Sequence, residues 1–92
     1  MEFIAPGSSG FTVYGRSGCS YCDKVKKVLN DFAVEYTYIN CDPYLNNKEA
    51  FLAFIETLAG QEHRTFPMVF STTTFIGGYT DTYKFLLEHI TK

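Results

Sequence analysis

The sequence predicts an α/β domain, a four-stranded mixed sheet flanked by helices in the order β-α-β-α-β-β-α. Three observations carry this. Short β-branched and aromatic runs alternate with stretches of helical periodicity. The breaks between them fall on Gly, Asn and an Asp-Pro pair. The chain has 92 residues, 46% of them hydrophobic, including seven Tyr and nine Phe. That is one core without room for a second.

The elements follow in order. Phe11-Thr-Val-Tyr14 reads as the first strand and stops at Gly15. Ser20 to Phe32 reads as a helix, because Val25, Val28, Leu29 and Phe32 recur on one face while Lys24, Lys26 and Lys27 lie off it. Val34 to Asn40 returns to strand composition, and Asp42-Pro43 breaks it, since a residue before proline disfavours the α region. Asn47 is placed to cap a second helix with Phe51, Leu52, Phe54, Ile55 and Leu58 as its apolar positions. Gly60 is placed to end it. Met68-Val-Phe70 and Thr72 to Ile76 are close enough to form a hairpin. After Gly77-Gly78, Thr80 or Asp81 opens the last helix, with Tyr83, Leu86, Leu87 and Ile90 as its expected apolar face. The β-α-β unit implies parallel strands, the closing hairpin an antiparallel pair, and helices on both faces are the simplest packing.

Composition excludes several functions. The net charge is −2 and no basic stripe appears, so nucleic-acid binding is not expected. No apolar run approaches the ~20 residues of a membrane helix, so no membrane partner is expected either. The start of the chain lacks the pattern of a secretory signal. Residues 1–10, with the run Ala-Pro-Gly-Ser-Ser-Gly, read as a flexible leader before a domain over 11–92. Three cysteines, two of them closely spaced, fit a reducing compartment, and the expectation is a cytoplasmic monomer.

The chemistry centres on Cys19-Ser20-Tyr21-Cys22. Cys19 falls in the loop after the first strand and Cys22 in the first turn of the helix. Unpaired N–H groups and the positive end of the macrodipole favour a thiolate there, and such cysteines ionise more readily than free thiols. Arg16 and Lys24 add positive potential. Cys19, the more exposed, is the expected nucleophile, and Cys22 the thiol that resolves a mixed disulfide. Half a zinc site is the competing reading, but Cys41, His63 and His89 form no second ligand pair. No catalytic role falls to either histidine, and no metal ion is expected. Cys41 reads as a half-buried thiol at a strand end, with glutathionylation or an intermolecular disulfide as alternatives.

Three segments in order resemble the glutaredoxin family. Tyr14-Gly-Arg-Ser-Gly-Cys-Ser-Tyr-Cys22 is similar to its active-site run, Thr65-Phe66-Pro67 to its cis-proline segment, and Gly77-Gly78-Tyr79-Thr80-Asp81 to its glycine pair followed by a polar residue and Asp. The resemblance runs from about residue 11 to the end. It implies a thioredoxin-like fold and a glutathione-dependent enzyme that reduces disulfide-containing or glutathionylated proteins. It further implies that Arg16, Tyr21, Thr65, Phe66, Pro67, Gly78, Thr80 and Asp81 bind glutathione, the co-substrate. Backbone at Phe66 would pair with the bound peptide. The amides around Thr80 would take a carboxylate, and Asp81 an amino group.

The chain departs from the family pattern in places. Ser20 replaces the commoner proline, and members with serine there can bridge a [2Fe–2S] cluster between two subunits. Cys19 would then be the metal ligand, and a cluster-binding dimer is the alternative function. The loop Gln61-Glu-His-Arg64 is longer than usual, which leaves Arg64 and Gln61 as candidates for the glycine carboxylate. Phe66 replaces valine. A thioredoxin-type enzyme would carry Trp-Cys-Gly-Pro-Cys, and this chain has no Trp.

Overall fold

Phe11-Thr-Val-Tyr-Gly15 forms β1 (Phe11–Gly15), and all five of its residues are buried, as a central strand requires. The computed structural model describes residues 2–90. The outer limits expected for the leader and the domain, residues 1 and 92, lie outside them. β1 pairs in parallel with β2 (Tyr36–Asn40), Tyr14 opposite Ile39. On its other side it runs antiparallel to β3 (Met68–Ser71), Val13 opposite Val69. β3 pairs with β4 (Thr74–Gly77), so the strand order is β2-β1-β3-β4. The helices are α1 (Ser20–Asp31), α2 (Lys48–Ala59) and α3 (Tyr79–His89).

Side-chain alternation splits the core in two. Phe11, Val13 and Val69 pack with Val25 and Leu29 of α1 and Leu86 of α3. Tyr14, Met68 and Phe70 pack with Phe51, Leu52 and Ile55 of α2. The expected mixed sheet with helices on both faces is therefore the observed one. Phe51 is fully buried against the rings of Phe3, Tyr14, Tyr44 and Phe66. Burial of that kind is worth roughly 1.5–3 kcal/mol per side chain. Among the described residues no helix is long and apolar enough to cross a membrane.

Some boundaries move for local reasons. The hairpin turn uses Thr72 at φ 50, so β4 begins at Thr74 rather than Thr72. Gly78 is the N-cap of α3, which places Thr80 and Asp81 inside its first turn. A 3-10 turn over Asp42–Asn47 fills the connection from β2 to α2. The expected apolar face of α3 divides: Leu86 is buried beside Thr82, while Tyr83, Leu87 and Ile90 stay exposed. The Thr82–Leu86 line, one helical turn long, is the one turned to the sheet.

Residues 2–10 form no helix or strand, yet the segment is anchored. The Phe3 ring packs 4.9 Å from Tyr44 and 5.4 Å from both Phe51 and Phe54. The Tyr14 hydroxyl donates to the Ile4 carbonyl at 2.7 Å, and the Ile4 amide donates to the Tyr44 hydroxyl at 3.2 Å. Burial pushes the pKa of the Tyr14 phenol well above its ordinary value, so it keeps its proton and remains a donor.

Candidate active site

The chain leaves β1 at Gly15, turns through Gly18 at φ 71, and enters α1 with Cys19 as the N-cap. That left-handed backbone suits glycine and few other residues. An N-cap is usually an oxygen-bearing side chain that accepts an N–H from the first turn. Here the Cys19 Sγ does so, accepting from the Cys22 amide at 3.1 Å. The helix thus aims a backbone dipole at the sulfur. Cys19 and Cys22 are joined as a disulfide, with their Cα atoms 5.2 Å apart. Cys22 has no exposed surface, whereas Cys19 is partly open to solvent.

Asp42 steadies this loop. Its carboxylate accepts the Ser17 amide at 2.9 Å and also the Ser17 hydroxyl. Those bonds, with Arg16 nearby, hold its carboxyl below the usual carboxylate range. The sequence marks Asp42-Pro43 only as a break. The signal was available in topology: parallel strands end side by side, so the residues after β2 lie beside the loop after β1.

Seven of the expected ligand residues converge. Tyr21, Thr65, Phe66 and Pro67 form one side of a cleft of about 320 Å³, and Gly78, Thr80 and Asp81 the other. The Phe66–Pro67 bond is cis, as the resemblance implied. Gly77, at φ 134, has no room for a side chain, because a Cβ there would meet the Asp81 carboxylate. The first-turn amides of α3 have no partners within the helix. Lys24 stands over the Tyr21 ring, 4.6 Å from its centroid.

Arg16 lies in an adjoining cleft of about 560 Å³, which shares Thr65 and Phe66 as walls and is completed by Leu45, Lys48 and Arg64. The Arg16 guanidinium sits 6.0 Å from the Phe66 ring centroid. Arg64 is paired with Glu49 at 2.8 Å and with Glu62 at 3.7 Å, and the Glu49 carboxyl is held below its usual range by that pairing. Gln61 lines neither cleft. His63 and Tyr79 also line the first cleft, His63 packed edge-on against Phe75 at 5.0 Å. The polar loop around His63 gave no pattern from which to place it.

Cys41 departs from expectation. It is fully buried rather than half-buried, because the end of β2 inserts it among Ile39, Tyr44 and the α2 face. Burial, with Asp42 beside it, pushes its thiol up to about 12. Glutathionylation or a disulfide to another chain would need access that this position lacks. Among the described residues no group of three or more His, Cys, Asp or Glu side chains is arranged to hold a metal ion. A [2Fe–2S] centre asks for four thiolate-type ligands, and one chain offers a single accessible cysteine, so the residues of one chain do not fit it.

Comparison with known proteins agrees with this geometry. A family model described as Glutaredoxin matches residues 11–76. The chain is 35% identical over 72 residues to human glutaredoxin-2, mitochondrial, covering 78% of this chain and 42% of that protein. It is 28% identical over 85 residues to glutaredoxin 1 of Escherichia coli, covering 85% and 93%. The chain therefore spans less than half the length of the mitochondrial relatives it matches. The buckwheat glutaredoxin–glutathione complex has a similar structure, with TM-score 0.72 and 27% identity over 91% of this chain and 74% of that one. Reduced Escherichia coli glutaredoxin has TM-score 0.65 and 30% identity, covering 89% and 98%.

Proposed function

The chain belongs to the glutaredoxin family, and from that premise we propose that it is a glutathione-dependent thiol–disulfide oxidoreductase working through Cys19. The observation that carries this reading is the pairing of a helix-capping sulfur with a cleft built from the seven residues named above. In the buckwheat structure a similar fold is in complex with glutathione.

The chemistry runs as thiol–disulfide exchange. The Cys19 thiolate attacks the glutathionyl sulfur of a mixed disulfide. The old S–S bond breaks, and the substrate leaves as a thiolate that takes a proton from water. Cys19 now carries glutathione. A second glutathione thiolate attacks the glutathionyl sulfur, releasing glutathione disulfide and restoring Cys19. Protein disulfides use the second thiol: the Cys19 thiolate attacks one sulfur of the disulfide, releasing the other as a thiolate and forming a mixed disulfide, and Cys22 then attacks Cys19 Sγ, frees the reduced substrate and closes the Cys19–Cys22 disulfide, which two glutathiones reopen. In the cleft, the α3 amides suit the γ-glutamyl carboxylate, Asp81 the amino group, the Phe66 backbone the cysteinyl unit, and Arg16 the distal carboxylate.

The test is turnover of hydroxyethyl disulfide with glutathione, coupled to glutathione reductase and NADPH, in wild type and Cys22→Ser. Turnover in both, with protein-disulfide reduction lost only in Cys22→Ser, is expected. No turnover in either would contradict the proposal. A brown dimer from anaerobic purification would point instead to a cluster bridged by two copies of Cys19.

A further inference from the structure

Helix α3 exposes apolar side chains that the core does not use. Tyr83 is 42% exposed, Leu87 46% and Ile90 37%. With Tyr79 they recur every three or four residues, so they form one stripe about 16 Å long. The stripe continues into the active site. The Tyr79 and Tyr83 rings stack with centroids 6.3 Å apart, and Tyr79 lies 5.8 Å from Tyr21, one of the two residues between the reactive cysteines. Phe32 of the α1 end packs edge-on against Tyr83 and closes one side.

The geometry points to a docking strip for the polypeptide that bears the target sulfur, and specifically for an apolar segment flanking its cysteine. This inference rests on the oxidoreductase reading above. Two arguments select the occupant. The first is continuity: a protein that brings a sulfur to Cys19 must lie beside Tyr21, where the strip begins. The second is area. Tyr83, Leu87 and Ile90, each roughly two-fifths exposed, and the part-buried Tyr79 offer well under the ~800 Å² per partner of a stable complex. That suits a partner held for one turnover and released, and is too small for a lasting dimer. The charged residues next to the strip in sequence, Lys84 and Glu88, are of opposite sign, and Lys24 lies over the Tyr21 ring, so selection falls to apolar contact.

The experiment uses two synthetic peptides of equal length, each with one glutathionylated cysteine. One carries leucines along a helical face beside the cysteine, and the other serines. Wild type should show a KM about tenfold lower for the leucine peptide. Tyr83→Ser/Leu87→Ser should erase that difference while hydroxyethyl disulfide turnover stays within about twofold. Leu87→Glu alone, which leaves the Tyr83–Phe32 contact in place, should lose most of it. Equal KM values in wild type, or a preference that survives both variants, would overturn the inference. So would a dimer at assay concentration that the double variant dissolves, because the strip would then hold a second copy. If wild type failed to turn over hydroxyethyl disulfide at all, the oxidoreductase reading would fall first and this inference with it.

Discussion

Cys19 and Cys41 follow the ends of two neighbouring parallel strands, and their chemistry is opposite. The Cys41 amide donates to the Gly15 carbonyl at 2.7 Å, so the two strand ends are tied together. Beyond that tie the paths diverge. Cys19 caps a helix, accepts an amide on its sulfur and meets solvent. Cys41 is sealed in the core beside Asp42, and its Sγ–H donates to the Ile39 carbonyl at 3.6 Å. The thiol is the same in both. Water and the helix dipole favour the charged form at one position, and burial beside a carboxylate opposes it at the other.

Removing the reactive thiol is the most severe way to break the comparison. Cys19→Ser should lower hydroxyethyl disulfide turnover at least ~10³-fold, because neither Cys22 nor Cys41 is accessible enough to replace it. Appreciable residual turnover would mean that burial does not silence the other two.

Stability should respond to the other thiol. Cys41→Ala should cost about 1 kcal/mol through the small void it leaves, a Tm loss of roughly 4–8 °C for a domain of this size, with kcat unchanged. The pH dependence sharpens this. Because folding raises the Cys41 pKa from 9.0 to about 12, its contribution is complete below the unfolded value and is lost as pH rises through the folded one. Chemical denaturation from neutral to strongly alkaline pH should show wild type losing more stability than Cys41→Ala. Parallel curves would contradict the assigned burial.

The smallest effect concerns the loop before Cys19. Asp42→Ala frees Ser17 and should reduce kcat/KM about threefold, since a loosened loop misplaces the thiolate. The Asp42 carboxyl is lowered on folding, so its clamp is complete above the ordinary carboxylate range and fails as pH falls through the lowered value. Wild type and Asp42→Ala should therefore converge in stability at strongly acidic pH. A gap that persisted there would assign the effect to something other than the carboxylate.

The strand and helix order was legible because periodicity and glycine or Asp-Pro breaks agreed from Phe11 to Gly78. The cysteine pair, the Thr65-Phe66-Pro67 segment and the Gly77-to-Asp81 segment were legible as short patterns with fixed chemistry. What escaped was set by tertiary direction. Tyr83, Leu87 and Ile90 have the spacing of a core face, but the sheet takes the adjacent Thr82–Leu86 line, and no local pattern distinguishes the two. Phe3 and Ile4 sit in a stretch whose composition suggests freedom, and only the tyrosine hydroxyls and aromatic rings across the fold fix them. Cys41 read as a half-buried thiol at a strand end, and the turn after β2 carries it fully inward.

The most direct test is the alkylation rate of Cys19 and Cys41 by iodoacetamide as a function of pH, read by mass spectrometry on the reduced Cys22→Ser protein. The account predicts that Cys19 reacts at a rate already near its plateau at about pH 7, the mark of a thiol ionised below the ordinary range, while Cys41 stays unmodified until the protein unfolds. A Cys19 rate still climbing to about pH 9, or comparable labelling of Cys41 in the folded protein, would contradict it.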